Sequence, residues 1–345
     1  MRGTRPPSMA DVAERAGVSH QTVSRVLNGH AYVRPDTRDR VQAAIDELGY
    51  RRNQAARALV TARSATIGVL TAGTTHYGPT STVLAVEAAA RAEGYYVSVG
   101  SLSGAGSARP VFEQLMNQGV DGVVVVAPLD EVAHLMDDVA SAVPVVVVAA
   151  RPDIPEQSPI RYVAVDQVGG AMLATEHLLG LGHERIVHVA GPDGWYDAAQ
   201  RAEGHRRLLA EQGLEPRLVA AGGWSARRGY DAGMRLAAEL RTAGGPTAVF
   251  AANDYLAMGL LRAFWERGVR VPEDVSLVGF DDIDGSGFLV PALTTVRQPF
   301  AAVGEAAIHA LLDHWSADPS QDAGGLVALI APELVVRDST AAPRA

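Results

Sequence analysis

Residues 9–29 read MADVAERAGVSHQTVSRVLNG, and the spacing of their apolar residues decides how the chain begins. Val12, Ala13 and Ala16 recur at helical intervals behind Ser8, a good N-cap, so a short amphipathic helix is expected that Gly17 stops. Ser19 is placed to cap a second helix, whose stripe is Val23, Val26 and Leu27 and whose end is Asn28-Gly29. Two helices joined by a tight glycine-containing turn make a helix-turn-helix.

The other face of the second helix carries the chemistry. His20, Gln21 and Arg25 project from its N-terminal half, Gln21 and Arg25 lying four apart on one side. Glutamine can pair with adenine and arginine with guanine through two hydrogen bonds each, while the hydroxyls of Ser19, Thr22 and Ser24 suit phosphates. Downstream, Asp36 can cap a third helix packed through Val41, Ile45 and Leu48 and ended by Gly49. Arg51 to Arg63 is rich in Arg and Ala and lacks an apolar face, so it is a weak helix on its own.

The stretch DVAERAGVSHQTVSRVLNG, continued by VRPDTRDRVQAAIDELGY, resembles the headpiece of the lac repressor (LacI/GalR) family, and the likeness runs through nearly the whole chain. The resemblance implies a headpiece over residues 1–50 and a hinge helix over 51–63 that folds on DNA. There Asn53 and Ala56 stand in register, Arg57 reaches phosphate, Leu59 wedges into the minor groove, and Asn28 joins the DNA-binding set. Arg52 departs from the proline that many relatives carry ahead of the hinge.

Composition bounds the rest. The 345 residues suffice for two or three domains, and 48% apolar content with 20% charge suits a soluble α/β protein. No apolar run reaches the roughly 18 residues of a membrane span, and MRGTRPPSMA lacks the apolar segment of a secretory signal. A cytoplasmic protein, nucleoid-associated when on DNA, is expected. There is no cysteine and no lysine, which excludes disulfides, thiolate metal sites and lysine-based chemistry. The net charge of −9 divides unevenly, with +5 in residues 1–63 and −14 in the remainder. A small basic module on an acidic body can meet phosphate through one end only.

From Ser64 the period changes. TIGVL, YVSVGS, GVVVVA, VPVVVVAA, YVAVD, RIVHVAG, TAVFAAN and VSLVGF alternate with helical stretches, the pattern of parallel sheets buried on both faces. The strand number suits two doubly wound lobes of the periplasmic-binding-protein type, which the resemblance also implies. Crossings are expected near Val165-Asp166, Thr295 to Gln298 and Ala323 to Leu326. The core is then 64–338, with lobe 1 about 64–165 and 297–324 and lobe 2 about 166–296 and 325–338. Residues 339–345 are expected to be a disordered tail. STAAPRA forms no leucine heptad of the kind that joins dimers into tetramers within the family, so a homodimer is expected.

Ligands of open α/β sheets bind beyond the carboxyl ends of strands. Asn253 and Asp254 follow TAVFAA, Asp281 and Asp282 follow VSLVGF, Arg201 lies beyond RIVHVAGP, Gln298 to Phe300 follow LTTV, and Trp224 stands in GGWSARRGY. Carboxylate, amide and guanidinium groups beside an aromatic face are what a sugar requires. The motifs AND, GFDD and LTTVRQPF match the family's core, and by position Arg201, Asn253 and Asp281 resemble its hydroxyl clamp, with Trp224 and Phe300 on the stacking side. Ala72, Gly104, Val126 and Ala149 stand where the family resemblance implies polar positions in the first-lobe pocket.

Lookalikes carry less. HERIVH spaces its histidines by five, not the four of a zinc helix. SGAGSARP has Arg109 at its third glycine position, and adjacent Asp281-Asp282 do not face each other across a bond as glycoside hydrolysis needs. The expectation is a sequence-specific DNA-binding repressor of a sugar-utilisation operon, not an enzyme, without cofactor or metal, released from operator DNA by a sugar. Its alternatives are a corepressor-dependent regulator, a solute-binding protein, or a sugar-processing enzyme on the same core.

Overall fold

The computed structural model describes residues 7–27, 32–51, 63–72, 76–102, 107–126, 129, 132, 143–149, 151, 158, 160–242, 244–316 and 324–344. The chain separates into two units, 1–64 and 65–345.

In the first unit, α1 (Met9–Ala16) begins with a capping box. The Ser8 hydroxyl accepts from the Asp11 N–H while the Ser8 N–H donates to the Asp11 carboxylate at 2.7 Å. Gly17 ends the helix at φ 64°, a left-handed conformation that a side chain would oppose. Ser19 caps α2 (His20–Leu27) by accepting from the Thr22 N–H at 3.2 Å. The third helix, α3 (Pro35–Leu48), starts two residues earlier than an Asp36 cap would set it: Arg34 is the N-cap, Pro35 occupies the first turn, where its missing N–H costs nothing, and Asp36 lies inside the helix. Val12, Ala13, Ala16, Val23, Val41, Ala44 and Tyr50 form the core of this three-helix unit.

The second unit holds two six-stranded sheets. Lobe 1 contains β1 (Thr66–Thr71), β2 (Tyr96–Ser101), β3 (Gly122–Val126), β4 (Val145–Val148), β5 (Arg161–Val165) and β11 (Gly325–Ile330), all parallel in the order β11-β5-β4-β3-β1-β2. Lobe 2 contains β6 (Ile186–Ala190), β7 (Arg217–Ala220), β8 (Ala248–Ala251), β9 (Ser276–Asp281), β10 (Thr294–Arg297) and β12 (Glu333–Val335). Their order is β12-β10-β9-β8-β6-β7, with β12 antiparallel to β10.

Strand residues alternate between two helix layers, which explains why these runs are apolar throughout. In lobe 1, Leu70, Val123 and Val125 face α5 (Ala108–Asn117), while Ile67, Val69 and Val124 face α4 (Tyr77–Ala92) and α10 (Phe300–Ser316). In lobe 2, Val187, Val249 and Leu277 face α8 (Ala226–Glu239) and α9 (Asp254–Glu266), while Phe250 and Phe280 face α6 (Gln167–Gly180) and α7 (Tyr196–Glu211). No helix among the described residues is long and apolar enough to cross a membrane.

Three connections join the lobes, after β5, after β10 and after β11. The third corrects the expected crossing at Ala323 to Leu326: GLVALI pairs with β5, so residues 325–330 belong to lobe 1 and the chain crosses beyond Ile330. The disordered tail is also corrected. Ser339 is fully buried, accepting from the Thr294 N–H at 2.8 Å and donating to the Leu277 carbonyl at 2.6 Å. Ala341 bonds Ser276 and His183, and Arg344 pairs with Asp274, so residues 339–344 are strapped to the start of β9 by specific polar partners.

Candidate functional site

The first unit presents one polar helix face. Val23 turns the buried side of α2 inward, which leaves Ser19, His20, Gln21 and Arg25 exposed and Thr22 and Ser24 half-buried. The hydroxyls of Ser19 and Thr22 lie 2.9 Å apart, so Ser19 is engaged in the cap. Beside this face the surface is concave, and Arg25, Arg34, Thr37 and Arg40 line it. The last three were missed in the sequence because they belong to α3 and its approach, and only folding brings them beside α2. Asn28, Asn53, Ala56, Arg57 and Leu59 lie outside the described residues.

In the second unit a cleft opens between the lobes at the carboxyl ends of both sheets, about 690 Å³ of space including its mouth. Arg201, Trp224, Asn253, Asp281, Gln298 and Phe300 all line it. Their convergence has a local cause in each case. Asn253 is the N-cap of α9, its Oδ1 accepting from the Leu256 N–H at 2.8 Å and its Nδ2 donating to the Trp224 carbonyl at 3.2 Å. Trp224 is seated against Gly191, where an added Cβ would come within 2.5 Å of the indole.

Arg201, only 3% exposed, is held from every side. Its Cζ stacks 3.8 Å from the Phe280 ring centroid, and its Nη1 donates to the Ala252 carbonyl. A closed polar ring follows. Arg201 Nε donates to Gln167 Oε1 at 2.8 Å, Gln167 Nε2 to Gln298 Oε1 at 3.0 Å, and Gln298 Nε2 to Asp281 Oδ1 at 2.7 Å, and Asp281 faces Arg201 at 3.7 Å. Gln167 and Gln298 sit at the first two lobe crossings, so the ring ties the connections to the clamp.

Burial raises the Asp281 carboxyl to about 7; the Arg201 charge opposes the rise and Asp254 adds to it. Burial likewise lowers the Arg201 pKa against Asp281, Asp197 and Asp254. Near neutrality Asp281 therefore exchanges between acceptor and donor, either of which can bond a hydroxyl.

Two candidates point elsewhere. Asp254 accepts from Thr295 at 2.6 Å, Ser286 at 2.5 Å and the Ile283 N–H at 3.0 Å, bracing the loop after β9. Asp282 pairs with Arg297 and Arg337, both at 2.7 Å. The residues missed are Gln167, Trp195, Asp197, His76, Tyr77 and Tyr255, which also line the cleft. All six stand at or near helix starts, beyond strands whose carboxyl ends were the available signal. From lobe 1 the strand ends and α10 contribute an apolar wall, Val126, Val148, Ala149, Ala164, Val165 and Val303, while His76, Tyr77 and Thr82 of α4 and its start bring polar groups. Gly104 lies outside the described residues, and Ala72 packs against the lobe 1 core.

The HERIVH histidines are structural. His183 bonds Thr247, Ser276 and Ala341, and His188 is stacked in the core on Phe250. Among the described residues no group of three His, Asp or Glu could hold a metal ion.

Residues 8–53 match the model of bacterial regulatory proteins of the lacI family, and residues 175–340 that of a periplasmic binding protein-like domain. The chain is 35% identical over 311 residues to the lactose operon repressor of Escherichia coli K12, covering 89% of this chain and 84% of that one. This chain belongs to the lacI family. Among solved lacI-family structures it is similar to the lac repressor dimer bound to operator and the anti-inducer ONPF. The TM-score is 0.84 at 35% identity, over 98% of this chain and 100% of that chain. It is also similar to the complex of the regulator CelR with cellobiose, with a TM-score of 0.70 at 30% identity over 96% and 99%.

Proposed function

We propose that this chain is a homodimeric, DNA-binding transcriptional repressor of a sugar-utilisation operon and that a sugar bound between its core lobes sets its affinity for operator DNA. The observation that carries the reading is one cleft holding a cation, two carboxylates, three amides and an aromatic platform, in a chain that also exposes Gln21 and Arg25 on a helix-turn-helix. His20, Gln21 and Arg25 meet base edges in the major groove; Ser19, Thr22 and Ser24, with Arg34, Thr37 and Arg40, meet the backbone. Asn28, Asn53, Ala56, Arg57 and Leu59 complete the DNA-binding set.

In the cleft, Arg201, Asn253, Asp281 and Gln298 take hydroxyls, and Trp224 and Phe300 take the C–H face. The relatives support this chemistry: one is a lactose operon repressor and another was solved with cellobiose. A regulator and not an enzyme is the reading, because the two adjacent carboxylates do not face each other across the cleft: Asp281 lines it while Asp282 is paired with Arg297 and Arg337. A sugar that binds one arrangement of the lobes better than the other shifts the population by that difference alone.

The test joins a thermal-shift screen of sugars to gel shifts on DNA from upstream of the chain's own reading frame. A sugar that raises the melting point and lowers the shifted fraction supports the proposal. No shift at low salt on any such DNA contradicts it.

A further inference from the structure

Trp195 touches both lobes and the cleft at once. It is the N-cap residue of α7 in lobe 2, with its carbonyl accepting from the Ala199 N–H at 3.1 Å, so a rigid helix start fixes its backbone. Its ring meets the His76 ring of lobe 1 edge to face, with centroids 5.2 Å apart at 88°. Its backbone pairs with Leu129 of lobe 1 in an isolated antiparallel bridge, and the next residue, Tyr196, packs against the lobe 1 core. On its other side the ring meets Trp224 at 5.7 Å and 76°.

That last geometry limits the occupant. A sugar ring sandwiched between two indoles needs carbon contacts of about 3.5–4.0 Å on each face, hence parallel planes about 7–8 Å apart. The two indoles are closer than this and nearly perpendicular, so no sugar ring lies between them. Trp224 is the platform, and Trp195 is an upright wall at its end. We infer that Trp195, clasped by His76 and Leu129, closes the far end of the cleft, restricts the effector to one sugar ring, and makes this limit part of lobe closure. The inference rests on the cleft's being the effector site. The lobes cannot part without breaking the His76 ring contact and the Leu129 bridge, so the wall that measures the ligand is itself a closure contact.

The test is calorimetric titration of the full-length chain with galactose, glucose, lactose and cellobiose, on the natural chain, Trp195→Ala, Trp195→Phe and Trp195→Leu. The natural chain is expected to bind a monosaccharide at least tenfold more tightly than either disaccharide. Trp195→Ala is expected to reduce that ratio by about tenfold, the scale of one or two lost ring contacts. Trp195→Phe, which keeps an aromatic edge for His76, should hold the ratio within about threefold of the natural chain, while Trp195→Leu, which keeps bulk without that edge, should reduce it as alanine does and decides the matter if the alanine variant does not fold. Lost packing alone would weaken all four sugars together and leave the ratio unmoved. A natural chain that prefers a disaccharide, or an alanine or leucine variant with an unchanged ratio, overturns the inference while leaving the effector cleft standing. If none of the four nor any other sugar binds the natural chain, the effector reading itself fails and this inference with it.

Discussion

Asp281 ends β9 at φ 113° and Asp282 follows at φ 54°, two consecutive non-glycine residues in a region that side chains disfavour. Such backbone costs on the order of 1–3 kcal/mol and persists where the surroundings fix it, here through Gln298 on one carboxylate and two arginines on the other. The paired carboxylates were legible in GFDD and the family resemblance singled out Asp281, but the residues alone could not make that choice, because it follows from this backbone twist. Asp281 carries a pH signature. It keeps a proton up to about 7 that the unfolded chain releases near 4, so its contribution is full below 4 and is lost as pH rises through 7. Asp281→Asn should therefore gain melting temperature relative to the natural chain as pH rises from 5 to 8, and should bind sugar at least about tenfold more weakly; a pH-independent difference would contradict the assignment. His205 has the opposite sign. Burial, with Arg206 adding, lowers it to about 4, so it contributes stability above 6.5 that is lost as pH falls through 4, up to about 3 kcal/mol. His205→Leu should flatten the acid limb of the melting curve, readable by calorimetry between pH 7 and 4.

At the scale of elements, the headpiece helices were legible because their stops are local: Ser8, Gly17, Ser19 and Gly49 are all caps. Central strands were legible from unbroken apolar runs. Three strands escaped for physical reasons. RLVA and ELV are short, partly exposed edge strands with no continuous apolar run, and GLVALI, an edge strand whose side chains are mostly exposed or half-buried, gives no sign of the sheet it joins. The tail escaped because Ser339 and Ala341 depend on partners far away in sequence. Deleting residues 339–345 should lower the core's melting temperature by several degrees, since Ser276 and Thr294 lose bonds and His183 is uncovered; an unchanged melting point would refute the strap. On α2, Arg25→Ala should cost about 1–3 kcal/mol of operator binding and relax preference at one base pair, measured on a substituted-operator panel. A uniform loss across the panel would move Arg25 from base edge to phosphate.

Across the whole molecule, charge divides the work between the units. Residues 1–63 carry +5 and the remainder −14, so operator affinity should fall steeply with salt and the core alone should show none. The cleft lies between the lobes, and the ring of Arg201, Gln167, Gln298 and Asp281 ties it to two of the connections that join them. The most direct measurement of coupling between cleft and DNA is operator affinity by fluorescence anisotropy, on the natural chain and on Arg201→Ala, with and without a saturating sugar found by thermal shift. A sugar-dependent loss of operator affinity of about tenfold or more is expected in the natural chain, with an Arg201→Ala variant that binds operator as well but no longer responds. Equal operator affinity with the cleft filled and empty in the natural chain would contradict this expectation.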